Sequence, residues 1–188
     1  MAGLMRLVSV NVGLPSGIGR IQGKQIESAI GKRSVKGPVI VRKLNLDGDL
    51  QADLTVHGGE DKAVYAYPSE HYEYWKEKFP DRELPWGTFG ENFTTQGLME
   101  EYVRRGDRLR IGSAEFSVVR PRFPCFKLGL KFGTAAMERW FLESERTGFY
   151  LRVLQEGLVE EGNPIDLVRT DQDSETISSA VRAFKKNA

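Results

Sequence analysis

A single cysteine and two histidines in 188 residues leave little for metal or thiol chemistry to draw on. No internal disulfide can form, and a reducing compartment is the matching expectation. A tetrahedral zinc site, which needs three or four Cys, His or carboxylate ligands, has no supporting motif. Charge of one sign is also missing: 27 Lys and Arg stand against 26 Asp and Glu, a formal net charge of +1. No whole-surface field therefore draws the chain to nucleic acid or to a membrane, and any anion site must be a local cluster of cations. No apolar stretch approaches the roughly 20 residues of a membrane-spanning helix. Met1 to Val12 carries one Arg and a short apolar run, without the charged n-region, long h-region and small-residue cleavage site of a signal peptide. A cytoplasmic protein is expected. Walker-type Gly-Lys-Ser/Thr and strand–turn–helix G-x-G-x-x-G sequences are absent, and one cysteine cannot hold an iron–sulfur cluster. Any redox chemistry would draw its electrons from an outside source.

What is present is the pattern of one mainly β domain. Hydrophobic content of 40% and charged content of 28% suit a globular chain able to bury a core. Leu7 to Val12 alternates apolar with small or polar residues, and Pro38 to Leu44 is β-branched and leads into the turn dipeptide Asp47-Gly48. Ala63 to Tyr67, Arg108 to Ile111, Glu115 to Val119 and Ile165 to Val168 are further short strands, with 108–119 forming a hairpin. Gly13 to Gly23, rich in Gly and Pro, reads as loop. Many short strands parted by glycine-rich turns predict a barrel or sandwich. Three helices flank it. The first is capped by Ser69 and stopped by Pro80, with Tyr72, Trp75 and Phe79 on one face; the second covers Thr134 to Leu142, and the third about Ser174 to Lys185. The expected organisation is a barrel domain over 1–170 with a C-terminal helical tail over 171–188.

The cysteine stands in Arg120-Pro121-Arg122-Phe123-Pro124-Cys125-Phe126-Lys127-Leu128. Two prolines stiffen the backbone. Arg120, Arg122 and Lys127 surround the thiol with positive charge, which favours the thiolate that attacks electrophiles or binds soft metals. A cysteine that only fills core needs neither feature. The cations read as surface groups, whose removal would cost the fold little. A second segment, Val56-His57-Gly58-Gly59-Glu60-Asp61-Lys62-Ala63, pairs glycines that allow φ > 0 with the cationic or polarising side chains of His57 and Lys62. On the residues alone it reads as an ordinary connecting turn with solvated Asp61 and Lys62, an anion-binding nest being the alternative. Gly90-Glu91-Asn92-Phe93 is comparable, with Asn92 either a donor and acceptor for a ligand or a turn residue. A Cys125–His57 nucleophile pair is a further reading. His71 rides the first helix, whose aromatics read as core packing.

Together these segments resemble one family. Leu46-Asp47-Gly48-Asp49-Leu50-Gln51-Ala52-Asp53, then Val56 to Pro68, Phe89-Gly90-Glu91-Asn92-Phe93-Thr94-Thr95 and Arg120 to Leu128 match the MOSC pattern in order, and Gly157 to Val168 continues it. The family is named for the molybdenum cofactor sulfurase C-terminal domain, and the stand-alone bacterial, YiiM-like subgroup is the nearest in pattern. The match covers nearly the whole chain up to about Arg169. It implies a mainly β, MOSC-type β-barrel with a few flanking α-helices. It also implies binding of the molybdenum cofactor (molybdopterin), with Cys125 as protein ligand to molybdenum, and reduction of N-hydroxylated compounds such as hydroxylamino-purines to amines with electrons from an external donor protein. In that reading Arg120, Arg122 and Lys127 neutralise cofactor charge, and Gly58, Gly59 and Asn92 line the cavity. His57 or Lys62 would then orient the substrate oxygen. The alternative is a non-catalytic carrier that passes cofactor or sulfur onward from Cys125. The chain departs from the pattern at Glu60, where many relatives carry Pro, and in closing on one helix where some relatives continue.

Overall fold

The computed structural model describes residues 4–50, 58–169 and 171–187. Its main body is an eight-stranded sheet. In chain order the strands and helices are β1 (Arg6–Val12), β2 (Ser16–Ile21), β3 (Lys24–Ser28), β4 (Arg33–Val35), β5 (Val39–Val41), β6 (Val64–Pro68), α1 (His71–Lys78), β7 (Phe93–Gln96), β8 (Arg108–Ile111), β9 (Ala114–Pro121), α2 (Phe126–Phe132), α3 (Ala136–Glu143), β10 (Phe149–Gln155), β11 (Gly157–Val159), β12 (Ile165–Val168) and α4 (Ile177–Asn187). The large sheet runs β12-β8-β9-β10-β6-β7-β1-β4. Every pair in it is antiparallel except β6 with β7, which α1 joins as a parallel crossover.

The sheet curls until the start of β1 reaches the approach of β12. Leu7 N–H donates to Asn163 O at 2.9 Å, Ile165 N–H to Met5 O at 2.9 Å, and Arg6 bridges to Pro164. These bonds join the start of β1 to the approach of β12 through an isolated bridge, so the barrel anticipated from the strand pattern is a curled, mainly antiparallel sheet without a closed ladder. Period-two burial follows from the pleat. Along β9, Ala114, Phe116 and Val118 are buried while Glu115, Ser117 and Val119 are half-buried. The interior they face is packed with Leu7, Val10, Val41, Leu46, Val64, Phe93, Leu109, Ile111, Leu151 and Val153.

Two local elements differ from the sequence expectation. The 13–23 stretch holds most of a hairpin, β2–β3, turning through Gln22 (φ 49°) and Gly23 (φ 80°). Two consecutive positive-φ residues make the turn whose twist suits a two-residue hairpin. Its strands are almost wholly exposed, so they carry no alternating apolar signal. The second difference is α2, which begins right after Cys125. Its seven residues are held by burial of Leu128 and Phe132 and by Arg82, which donates to the carbonyls of Lys131 (2.8 Å) and Phe132 (3.2 Å) at the helix end. So short a helix depends on tertiary packing more than on propensity. α4 packs along β9, and its Ile177 and Val181 are fully buried.

Candidate functional site

One cleft gathers the segments that carry chemistry in the sequence. It is open to solvent, with about 650 Å³ of empty space when that at its mouth is counted. Its described lining includes Lys62 from the turn before β6, Gly90 and Asn92 from the approach to β7, and Arg122, Cys125 and Lys127 from the β9–α2 connection. Among the described residues of the lining, four carry positive charge, Lys32, Lys62, Arg122 and Lys127, and one, Asp49, carries a carboxylate. Gly58, Gly59 and Arg120 lie outside the lining. Gly59 uses a φ of 92° to start the short 3-10 turn Glu60–Lys62, and Arg120 pairs with Tyr150 across β9 and β10. His57 lies outside the described residues.

Asn92 is more a fastener than a free ligand group. Its side-chain oxygen accepts the Tyr65 N–H at 3.0 Å and its amide nitrogen donates to Asp49 at 2.8 Å. Asp49 in turn accepts Gly13 N–H at 2.8 Å and pairs with Lys32, both side chains being buried. Three chain segments are thereby tied beneath the cleft. Gly90 is constrained as well: at φ 85°, a Cβ there would meet Ile30 Cγ1 at 2.8 Å. Burial lowers the pKa of Lys32 while Asp49 opposes the shift.

Arg122 reverses the expectation of a surface cation. It is only 6% exposed, and its guanidinium lies 5.2 Å from the Tyr65 ring and 5.1 Å from the Phe141 ring. Its Nη1 is buried without a hydrogen-bond partner. An orphaned buried donor of this kind costs free energy unless a ligand or water supplies the missing acceptor. Tyr150 lines the same wall. Burial pushes its hydroxyl pKa up, with Arg122 opposing.

Behind the wall sits a buried polar network with little sequence signal. Glu91 is fully buried and accepts from Gly87 N–H (2.8 Å), Phe89 N–H (3.1 Å), Thr94 Oγ1 (2.9 Å) and the Tyr72 hydroxyl. Burial raises its pKa against these donors. Lys131 donates to Ile30 O at 2.8 Å, and burial lowers its pKa to about 8. Glu91 lies in the 90–93 segment compared with a turn, while Lys32 and Lys131 lie in stretches to which the sequence pattern gave no reading. Only the coincidence of a charged residue with a run of buried neighbours could have marked them. His71 is also buried, its Nε2 2.8 Å from Glu100 Oε2 and away from the cleft lining.

No cluster of three or more His, Cys, Asp or Glu among the described residues could hold a bare metal ion. A metal at Cys125 would have to bring most of its ligands with it. A pterin-held metal does so, and its phosphate would answer the unpartnered Arg122 Nη1. The residues present therefore fit that group. No helix among the described residues is long and apolar enough to cross a membrane.

Comparison with known proteins agrees with this geometry. The chain is 43% identical over 176 residues to Bacillus subtilis (strain 168) YflK, spanning 94% of this chain and 79% of that one. It is 37% identical over 159 residues to Escherichia coli (strain K12) YiiM, spanning 84% and 71%. A Gibberella moniliformis protein named "Reductase" is 32% identical over 166 residues, which is 87% of this chain but only 29% of that protein. The crystal structure of YiiM from Geobacillus stearothermophilus superposes with a TM-score of 0.79 at 37% identity, covering 97% of this chain and 85% of that one. The MOSC domain model matches residues 53–166, and with relatives this similar over most of their length the chain belongs to the MOSC domain family.

Proposed function

We propose that the cleft binds the molybdenum cofactor and that the protein reduces N-hydroxylated compounds, such as hydroxylamino-purines, to the corresponding amines. The observation that carries this reading is a lone thiol beside a buried guanidinium with an unpartnered Nη1, in a cleft whose described lining holds four cations and one carboxylate. Cys125 would ligate the metal as a soft donor. Arg122, Lys127 and, from just outside the lining, Arg120 would balance the phosphate and metal charge, with bidentate hydrogen bonds available from the guanidinium groups. When bound, the cofactor would supply two-electron removal of oxygen from the substrate. The electrons would come from an external donor protein, and the setting would be the cytoplasm.

The chain's own groups then have separable tasks. Tyr65 and Phe141 pack against the Arg122 guanidinium, so its unpartnered Nη1 would be held in place before a ligand arrives. Lys62 at the cleft wall or, in the alternative, His57 would orient the substrate oxygen. Converting R–NHOH to R–NH2 and water consumes two protons, and Lys32, an ammonium whose charge burial disfavours, is placed on the lining to hold one. Membership in a family with a relative named a reductase supports the reaction class.

The test compares wild type with Cys125→Ser, both expressed in cofactor-competent cells. Serine is nearly the same size but offers a hard, protonated oxygen. Molybdenum per protein and turnover of a hydroxylamine with an artificial electron donor should both fall by at least about 100-fold, the upper end of what a changed metal ligand environment costs. Wild-type turnover in the variant would end the proposal. Retained molybdenum without turnover in the wild type would favour the carrier.

A further inference from the structure

We infer that helix α4 positions the cysteine segment through a ring stack between Phe184 and Phe123, making Phe184 a positioning residue for the Cys125 thiol. The inference rests on Cys125 being the functional thiol. Arg122 and Phe123 directly follow β9, and their side chains meet different neighbours. Arg122 goes inward, against Tyr65 and Phe141. Phe123 instead meets Phe184 of α4, with ring centroids 4.0 Å apart and planes inclined by 22°. Between Phe123 and Cys125 stands Pro124, whose ring fixes φ, so a displacement of Phe123 passes on instead of being absorbed by backbone rotation. On the other side of the thiol, Leu128 N–H donates to Cys125 O at 2.9 Å as α2 begins. The cysteine is thus held by Arg122 upstream, by α2 downstream and by α4 at Phe123.

α4 is itself fastened firmly enough to serve. Ile177 and Val181 are buried, Arg105 pairs with Glu175 at 2.7 Å, and Arg182 and Lys185 both reach Glu145 at 2.8 Å. Phe184 remains 41% exposed. An aromatic ring half in water contributes little as core, and its contact with Phe123 is what it adds.

Because Cys125 is the only cysteine, alkylation of the full-length, metal-free protein by iodoacetamide reads this one thiol. Phe184→Ala should speed alkylation about five-fold, as expected when a local restraint of about 1 kcal/mol is lost. Phe184→Tyr keeps the ring and should return the wild-type rate. Ile165→Val, in the barrel interior and remote from Phe123, should lower the melting temperature without changing the rate. An unchanged rate in Phe184→Ala overturns the inference, and so does equal acceleration in Ile165→Val, since the effect would then be global loosening. The readout needs no metal. If Phe184→Ala speeds alkylation while Cys125→Ser leaves molybdenum loading and turnover intact, the stack stands and the cofactor reading falls.

Discussion

One strand serves two cores of different chemistry. Along β6, Val64 and Ala66 face the barrel interior, a packing of Leu, Val, Ile and Ala with Phe93, Phe116 and Phe149. Tyr65 and Tyr67, alternating with them, face a second cluster with Tyr72, Trp75, Phe89, Phe132 and Phe141. The barrel core has no polar atoms to satisfy, so its energy is burial and fit. In the aromatic cluster each polar tip is tied: Tyr65 hydroxyl to Thr147 O at 2.7 Å, Trp75 Nε1 to Tyr67 oxygen at 2.7 Å, and Tyr72 hydroxyl to Glu91. Satisfied buried networks rigidify what they touch. Here they touch Arg122, Asn92 and the loop ahead of β7, the walls of the cleft. The barrel holds the fold, and the aromatic layer aims the site.

The strongest way to break that division is to damage the barrel and watch the cleft. Phe116 is fully buried and meets Phe93 edge-on, with centroids 5.5 Å apart and planes at 89°. Phe116→Ala should cost about 3–5 kcal/mol, from lost transfer energy and the cavity left behind. Urea unfolding measures that loss. The thermal shift produced by inorganic phosphate should persist in the protein that stays folded. Its disappearance would mean that the two cores are not separable.

The same contrast explains what could be read from the chain. The strands were legible because apolar residues alternate with small or polar ones, as in Leu7 to Val12 and Glu115 to Val119, even though β1 is buried on both faces from Ser9 to Val12. The motifs at Lys62, Asn92 and Cys125 were legible because glycines, prolines and clustered cations are unusual locally, and the structure brings them to one cleft. The aromatic layer was read only as packing, since a tyrosine in a strand looks the same whether its hydroxyl is bonded or bare. Arg122 read as surface because sequence gives a cation no burial. Lys32 and Glu91 were passed over because their partners, Asp49 and Tyr72, lie 17 and 19 positions away.

Lys131 tests the polar layer by pH. Its proton leaves near pH 8 in the folded state and near 10.5 in the unfolded chain. Between those values the unfolded chain binds more protons, so this residue's contribution to stability rises with pH across the window and is lost as pH falls through 8. Relative to Lys131→Met, wild type should gain about 2 kcal/mol across it, less than the full shift implies because some solvent reaches the side chain. Taking the difference cancels the titrations of Lys32 and the tyrosines. A flat difference would place Lys131 in water.

Arg122→Met sharpens the comparison further. Methionine can fill the space between Tyr65 and Phe141, and replacing a buried charge by an apolar side chain is often neutral or stabilising. The melting temperature should hold or rise, while affinity for inorganic phosphate falls about ten-fold, or about 1.4 kcal/mol. Equal loss of both would make Arg122 a structural member of the aromatic layer and leave the cleft without its anchor.

The smallest effect belongs to the charges that fasten α4. Glu145 accepts from Lys185 and Arg182, each at 2.8 Å, and these bonds hold its carboxyl pKa below the ordinary 4.5. A depressed carboxyl pKa stabilises the fold above the ordinary value, and that stability is lost as pH falls through the folded one. Lys185 and Arg182 keep substantial solvent contact, so Glu145→Gln should cost only about 0.5 kcal/mol near neutral pH. The difference from wild type should shrink on acidification and in high salt, where exposed charges are screened. If α4 is held by the same apolar packing that defines the barrel, through Ile177 and Val181, this is all that the ion pairs can add. A loss of 2 kcal/mol or more, insensitive to salt, would make α4 a charge-fastened element and place it with the polar layer that aims the site.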